Sequence, residues 1–261
     1  MKRTLIQIDL DTIPAQFHNY LNRAVVYDSS SSPDARVLYI CKGGGYYLKT
    51  AKRGSLLSEA TMSAYFHDLQ MGPEVLTYFS GEKDWLLTRR ILGEDCTLPY
   101  YLERPERLAE TLAEIAYHLH SVQVDDCPIT GLADSYLTEV RNNYEAKHYR
   151  MDFLPESWGY RSPEDAKKVI EERKHLLKND TLIHGDYCLP NILLDDWKFS
   201  GFIDVGRGGA GDRHVDIFWG VWTLFFNLKT NAFCNRFLDA YGRDRMEPEM
   251  LRLIAACEVF L

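Results

Sequence analysis

Asp186, Asn191 and Asp204 are the residues of this 261-residue chain whose types and spacing fit a chemical step. Asn191 follows Asp186 by five positions and Asp204 follows it by eighteen, inside the stretch LIHGDYCLPNILLDDWKFSGFIDVGRGGAGDRHVD. A D-x-x-x-x-N spacing with a later D-x-G is the arrangement of phosphoryl-transfer sites. An amide and a carboxylate are hard oxygen donors and suit magnesium, which keeps several waters and takes phosphate oxygens for the rest. Asp186 is then left to accept the proton of an attacking hydroxyl and to orient that oxygen. Taken singly, an aspartate in a loop is a turn former or a helix cap. The reading rests on the combination of His184, Gly185, Asp186, Asn191 and Ile203-Asp204-Val205-Gly206-Arg207 in that order.

These groups need elements that bring them together. Two apolar runs, 192–194 and 199–203, flank the polar residues 195–198 and predict a hairpin that returns Asp204 to Asn191. Upstream, 25–27, 37–41, 46–49 and 84–88 read as strands of a small strand-rich lobe over residues 1–93. Four serines, 29–32, turn the first pair, and Gly43-Gly44-Gly45 turns the second into a strand with Lys49 at its inner end. Ten residues on, Glu59 falls in a predicted helix over 55–69, where Met62, Phe66 and Leu69 mark an apolar face. Paired with Glu59, Lys49 would be held against phosphates; a solvent-exposed pair of little consequence is the ordinary alternative. Neither G-x-G-x-x-G nor G-x-x-x-x-G-K-[ST] occurs. The serine turn is therefore the candidate phosphate loop, offering backbone N–H and hydroxyl donors, or else a plain hairpin tip.

Residues 89–93 connect to a second, mainly helical lobe over 94–261, and exposed connector backbone suits the edge of a purine. Leu108, Leu112, Ile115 and Leu119 recur at helical intervals, while His118 and His120 read as packed or surface residues. Ser162-Pro163-Glu164-Asp165 is a helix start leading to about 178. Asp216 opens the apolar helix 217–226 and is read as structural support, either capping that helix or bonding the backbone of the Asp186 loop; Arg207 is read as support beside it. The fold class expected is α+β.

Composition narrows the function classes. With 46% hydrophobic residues the chain can bury a sizeable core, and a net charge of −8 gives no basic footprint for nucleic acid while suiting a cationic small substrate. Six cysteines show no metal-ligand or C-x-x-C spacing, so reduced thiols in a cytoplasmic protein are expected. Asp9, Asp11 and Pro14 interrupt the amino-terminal stretch before a signal-peptide core forms, and the longest apolar run, 217–228, is too short to span a bilayer.

HGDYCLPNILLDD, SGFIDVGRGGAGDRHVDI, HSVQVDDCP and SSSSPDARVLYICKGGGYYLKT together resemble the aminoglycoside 3'-phosphotransferase (kanamycin kinase) family over nearly the whole chain. The resemblance implies a two-lobed, protein-kinase-like fold: a small antiparallel-sheet lobe and a larger helical one. It implies a transferase that moves the γ-phosphoryl group of ATP or GTP, with Mg2+, to a hydroxyl of a cationic aminoglycoside, the 3'-hydroxyl, conferring antibiotic resistance. On that mapping Asp186 is the catalytic base and Asn191 and Asp204 hold magnesium. Lys49 and Glu59 position the phosphates, Ser31 and Ser32 belong to the phosphate loop, Tyr47 stacks on adenine, and Arg90 and Ile91 give connector backbone contacts. Asp152, Glu156, Glu258 and the terminal carboxylate of Leu261 would meet the ammonium groups of the substrate. Where many relatives carry acids after the apolar helix this chain has Phe226 and Asn227, and Cys257 replaces one C-terminal acid. A kinase of another hydroxylated molecule (a macrolide, a choline-like amine or a sugar) and a catalytically silent nucleotide-binding module stay open as alternatives. The expected partner is a small molecule, with no nucleic acid and no membrane, and the expected state is a monomer or weak dimer.

Overall fold

The computed structural model describes residues 3–150, 158 and 160–261 and divides into two compact units, Met1–Cys96 with Pro190–Arg207, and Thr97–Leu189 with Gly208–Leu261. The division read from sequence, at 93/94, leaves 190–207 with the helical part. In the structure this segment groups with the amino-terminal residues, because its hairpin pairs with Glu94–Asp95.

The first unit runs β1 (Thr4–Ile6), α1 (His18–Leu21), β2 (Val25–Asp28), β3 (Ala35–Cys41), β4 (Tyr46–Lys52), α2 (Leu57–Asp68), β5 (Val75–Ser80), β6 (Lys83–Arg89) and β7 (Glu94–Asp95). Six strands make an antiparallel sheet ordered β1-β2-β3-β4-β6-β5. Side chains alternate between its faces. On one face Leu48 of β4 packs with Phe17, Leu21, Val26, Leu38, Ile40 and Leu87. Each fully buried side chain of that size contributes about 2 kcal/mol. The next position, Lys49, therefore falls on the other face, with Ala51 and Leu86, where Leu56 and Ala60 bring in α2. Lys49 is the fourth of seven residues in β4 and not its inner end, because pairing with β6 continues through Lys52. The strands β1 and β5 were not anticipated from the sequence. The turn between β3 and β4 holds Gly43, Gly44 and Gly45 at φ of 56°, 92° and 101°, values that side-chain-bearing residues rarely adopt.

A hairpin of β9 (Ile192–Asp195) and β10 (Lys198–Phe202) completes this unit as the sheet β10-β9-β7. Asp195 pairs with Lys198 across a two-residue loop, and Asp196 and Trp197 both have positive φ, 45° and 69°, as a primed hairpin turn requires. The connector backs onto this hairpin. Gly93 sits at φ 102° where a Cβ would lie 2.5 Å from the Leu194 carbonyl oxygen, so only glycine lets the two backbones meet.

The second unit contains α3 (Pro99–Leu102), α4 (Pro105–Leu119), α5 (Leu132–Glu145), α6 (Pro163–Arg173), β8 (Thr181–Ile183), β11 (Gly209–Gly211), α7 (His214–Leu228), α8 (Cys234–Tyr241) and α9 (Pro248–Glu258). Leu108, Leu112, Ile115 and Leu119 of α4 are buried, as their spacing predicts, and α4 packs on α7 and α8. Ser162 caps α6 through a hydrogen bond from the Asp165 N–H (3.1 Å), but the helix gives way after Arg173 to a 3-10 turn over Lys174–Leu176. Among the described residues no helix is long and apolar enough to cross a membrane.

Asp212 ties three segments of this unit. It accepts from the backbone N–H of Lys178 (3.0 Å) and of His214 (3.0 Å) and from the His214 ring (2.6 Å at Nδ1). His214 in turn accepts at Nε2 from the Glu247 N–H (3.0 Å), just ahead of α9. Burial pushes the Asp212 carboxyl upward, but the bonds from the His214 ring and from the two N–H donors outweigh it, holding the group below its ordinary 3.8. A depressed folded-state value contributes stability that is fully present above the unfolded value and lost as pH falls through the folded one. The expected result is that Asp212→Asn flattens the loss of stability below pH 3.8, read as the urea midpoint of each protein against pH.

Candidate active site

Lys49 is the centre of the first unit's polar face. Its Nζ donates to Glu59 Oε2 at 2.7 Å and to Asp204 Oδ1 at 2.5 Å. Glu59 is brought there by α2, and α2 is anchored by a residue that sequence reading missed. Asp84 of β6, fully buried, accepts from the Leu56 N–H (3.0 Å) at the helix start and from the Ser80 hydroxyl (2.7 Å). A lone buried acid within an apolar strand is the signal that could have revealed it. Asp204 is brought by the hairpin. The Ile203 N–H donates to the Asn191 carbonyl (3.0 Å), so the residues before Ile192 and after Phe202 lie together at the hairpin's open end. Asp204 has φ 56°, a left-handed conformation that aspartate tolerates better than most residues. The turn Val205–Arg207 that follows packs on α2, and a Cβ on Gly206 would lie 3.3 Å from Glu59 Cβ.

One ammonium between two carboxylates sets the electrostatics. Burial works against the Lys49 charge, but Asp204 and then Glu59 outweigh it and hold the lysine above its ordinary value. Burial raises Glu59, helped by the Asp204 charge and opposed by Lys49. The surplus negative charge and the exposed Asp204, whose side chain keeps 45% of its accessible surface, suit a cation. Asn191 is buried and carries an amide oxygen, and carboxylate plus amide is a donor set that fits magnesium. Among the described residues no cluster of three or more histidine, cysteine or acidic side chains that could hold a metal ion occurs. Lys49→Ala should raise the KM for nucleotide about 10- to 100-fold, as loss of a charged hydrogen-bond donor to phosphate does, in initial rates measured against ATP.

Other residues singled out in this unit are more dispersed. Tyr47 pairs across strands with Tyr39, and their rings lie 5.2 Å apart. The Arg3 guanidinium covers this pair, 3.9 Å from the Tyr39 ring and donating to the Tyr47 hydroxyl at 2.8 Å, a contact no local pattern foretold. Burial raises the Tyr47 phenol against the lowering charge of Arg3. The Arg90 N–H donates to the Gly45 carbonyl (3.0 Å), and Ile91 lies against Gly201 in β10. Ser31 and Ser32 are exposed in the turn after β2, where Ser32 Oγ accepts from the Asp34 N–H (3.1 Å). Arg207 is exposed.

In the second unit Asp186, half-buried, is held from several sides. Its N–H donates to His184 Nδ1 (3.2 Å), its carbonyl accepts from the Cys188 N–H (2.8 Å), and the next residue, Tyr187, is buried with its hydroxyl on the Leu112 carbonyl of α4 (2.7 Å). Asp216, fully buried at the start of α7, accepts from the His184 N–H (2.7 Å) and the Gly185 N–H (2.8 Å); of the two supporting roles open to it, this is the bond to the loop backbone. Behind it His120 is buried, not on the surface, with Nε2 3.2 Å from Asp216 Oδ2 and Nδ1 2.8 Å from the Tyr241 hydroxyl. A carboxylate only accepts, so Nε2 donates to Asp216 and the tyrosine donates to Nδ1. Burial pushes the Tyr241 phenol up to about 12, against Arg213.

The remaining substrate-facing expectations divide. Glu258 is buried at 3% exposure, accepts from the Tyr136 hydroxyl (2.8 Å), and adds its charge to the surroundings of Cys188 in the Asp186 loop. Leu261 is half-buried. Asp152 and Glu156 lie outside the described residues. On α7, Phe226 is half-exposed, stacked on Trp222 at 4.8 Å and under the Lys229 ammonium at 4.1 Å, and the Asn227 amide turns to Thr223 (2.8 and 3.2 Å).

A lysine bridging a helix glutamate and a hairpin aspartate, with a second aspartate on a backbone-clamped loop, is the side-chain set of a kinase-type phosphotransferase on an α+β fold. The comparisons with known proteins agree. The phosphotransferase enzyme family APH matches residues 28–252, and the chain belongs to that family. It is 47% identical to the probable aminoglycoside 3'-phosphotransferase of Lactococcus lactis subsp. lactis over 98% of this chain and 97% of that one. It is 27% identical to an aminoglycoside 3'-phosphotransferase of Escherichia coli over 88% of this chain and 83% of that one. The fold is that of the crystal structure of an aminoglycoside-3'-phosphotransferase of type VIII, with TM-score 0.74 and 23% identity, covering 99% of this chain and 94% of that chain. It also matches an aminoglycoside phosphotransferase from Streptomyces rimosus in complex with ADP and streptomycin, with TM-score 0.74 and 22% identity, covering 98% and 100%.

Proposed function

We propose that the protein transfers the γ-phosphoryl group of ATP to the 3'-hydroxyl of an aminoglycoside and thereby confers resistance. The observation that carries this reading is the Lys49 ammonium held at 2.7 Å from Glu59 and 2.5 Å from Asp204, a cation preset for phosphate beside an exposed carboxylate. The names of its relatives, aminoglycoside 3'-phosphotransferases in Lactococcus lactis and Escherichia coli, support the acceptor class. Asp186 accepts the proton of the acceptor hydroxyl and aims that oxygen at phosphorus. Asn191 and Asp204 would hold magnesium, which when bound neutralises charge on the phosphate oxygens. Lys49, kept in place by Glu59, grips the phosphates, with Ser31 and Ser32 in the turn that closes on them; Tyr47 stacks on the purine, and the backbone of Arg90 and Ile91 meets its edge. Arg207 and Asp216 support the loop. Of the acids assigned to the acceptor's ammonium groups, Glu258 lies among the described residues. The work is done in the cytoplasm, where ATP is supplied.

Regiochemistry is tested by giving the enzyme, with ATP and magnesium, kanamycin and a second aminoglycoside that lacks the 3'-hydroxyl. Phosphorylated kanamycin and unchanged analogue are expected; equal phosphorylation of both would overturn the 3' assignment. A second acceptor class is favoured by one feature, the aromatic and cationic face of α7 at Phe226 and Lys229. Such a face suits the apolar side of a less charged sugar. Turnover of neutral sugars above that of kanamycin would establish it.

A further inference from the structure

Thr223 has no part in the chemistry described so far, yet it is 1% exposed and lies where α7 meets the Asp186 loop. Its Oγ1 accepts from the Leu189 N–H at 3.1 Å. Asn227, one turn further along α7, donates from Nδ2 to the Thr223 carbonyl at 2.8 Å and to Oγ1 at 3.2 Å. Two N–H donors thus meet on one hydroxyl oxygen. Thr223 therefore ties Asn227 of α7 to the backbone three residues after Asp186. The neighbouring Cys188 is buried, and burial, with the charge of Asp186, holds its thiol well above the ordinary value. The Cys188 N–H on the Asp186 carbonyl (2.8 Å) closes the backbone of the same turn.

We infer that Thr223, oriented by Asn227, is a positioning residue that fixes the loop between Asp186 and Asn191 through the Leu189 N–H, and that Asn227 serves this bond and not the acceptor. Asn227 orients the hydroxyl by donating to its oxygen; a carboxylate at that position would accept the Thr223 proton instead. The inference rests on the reading of Asp186 as the base.

The test compares Thr223→Val, Thr223→Ser and Asn227→Asp in the full chain, by hydrogen exchange of peptides covering 184–191 and by steady-state kinetics with ATP and kanamycin. Thr223→Val conserves volume and removes the hydroxyl. It should speed exchange in that peptide about tenfold and lower kcat about tenfold or more, while the KM for ATP stays within about twofold and peptides of β4 keep their rates. Thr223→Ser should behave as the wild type, and Asn227→Asp should fall between. Unchanged exchange and kcat in Thr223→Val, or equal impairment in Thr223→Ser, would overturn the inference. Faster exchange everywhere in Thr223→Val would do so too if Asn227→Asp, on a half-buried site, leaves 184–191 as slow as in the wild type. Exchange needs no acceptor, so it decides the role of Thr223 even if kanamycin is not turned over; a wild type inert toward every aminoglycoside counts against the proposed function alone.

Discussion

Asp186→Ala should cut turnover of the phosphate acceptor by about three orders of magnitude and leave the KM for ATP nearly unchanged. The side chain belongs to a loop whose backbone is held independently of it, by the carboxylate of Asp216 on the N–H groups of His184 and Gly185 and by the buried Tyr187 on α4. Removing the carboxylate therefore deletes the proton acceptor without releasing the loop. The nucleotide's assigned contacts, Lys49, Glu59 and Asp204, form a separate set bonded to one another. Initial rates against both substrates check this: a large rise in the KM for ATP with the fold intact would contradict the role given to Asp186.

The second large effect is on stability. Asp216→Ala leaves the N–H groups of His184 and Gly185 without an acceptor inside a fully buried site and strips His120 Nε2 of its partner. Each stranded buried donor costs about 1 to 3 kcal/mol, so a loss of about 3 to 5 kcal/mol is expected by chemical denaturation. Asp216→Asn should recover part of it, since the amide oxygen still accepts one of the two N–H bonds. A loss below about 1 kcal/mol in Asp216→Ala would mean that the loop is held from elsewhere.

What could be read from the sequence alone was local. The hairpin that carries Asn191 and Asp204 shows as two apolar runs about a polar turn, and α2 as an apolar face with Glu59 on its flank, because strands and helices write their periods into neighbouring residues. The same logic found the buried face of α4. Contacts between distant segments write no such period. Asp84 anchors α2 across a gap of 28 residues, His120 meets Tyr241 across 121, and Arg3 reaches Tyr47 across 44, and none of these pairs has a sequence spacing that could announce it. The strand β1, three residues long, is too short to show alternation. Asn227 shows the same limit: a missing acid was visible, but its link to the Asp186 loop depends on Thr223 and Leu189 meeting in space.

The most direct measurement is phosphoryl transfer itself, with purified protein, kanamycin, ATP and magnesium followed by mass spectrometry, in parallel with Asp186→Ala. The account predicts that kanamycin gains the mass of one phosphoryl group as ATP becomes ADP, and that this product is all but lost in the variant. No phosphorylated product from kanamycin or any other aminoglycoside, or undiminished product in Asp186→Ala, would contradict it.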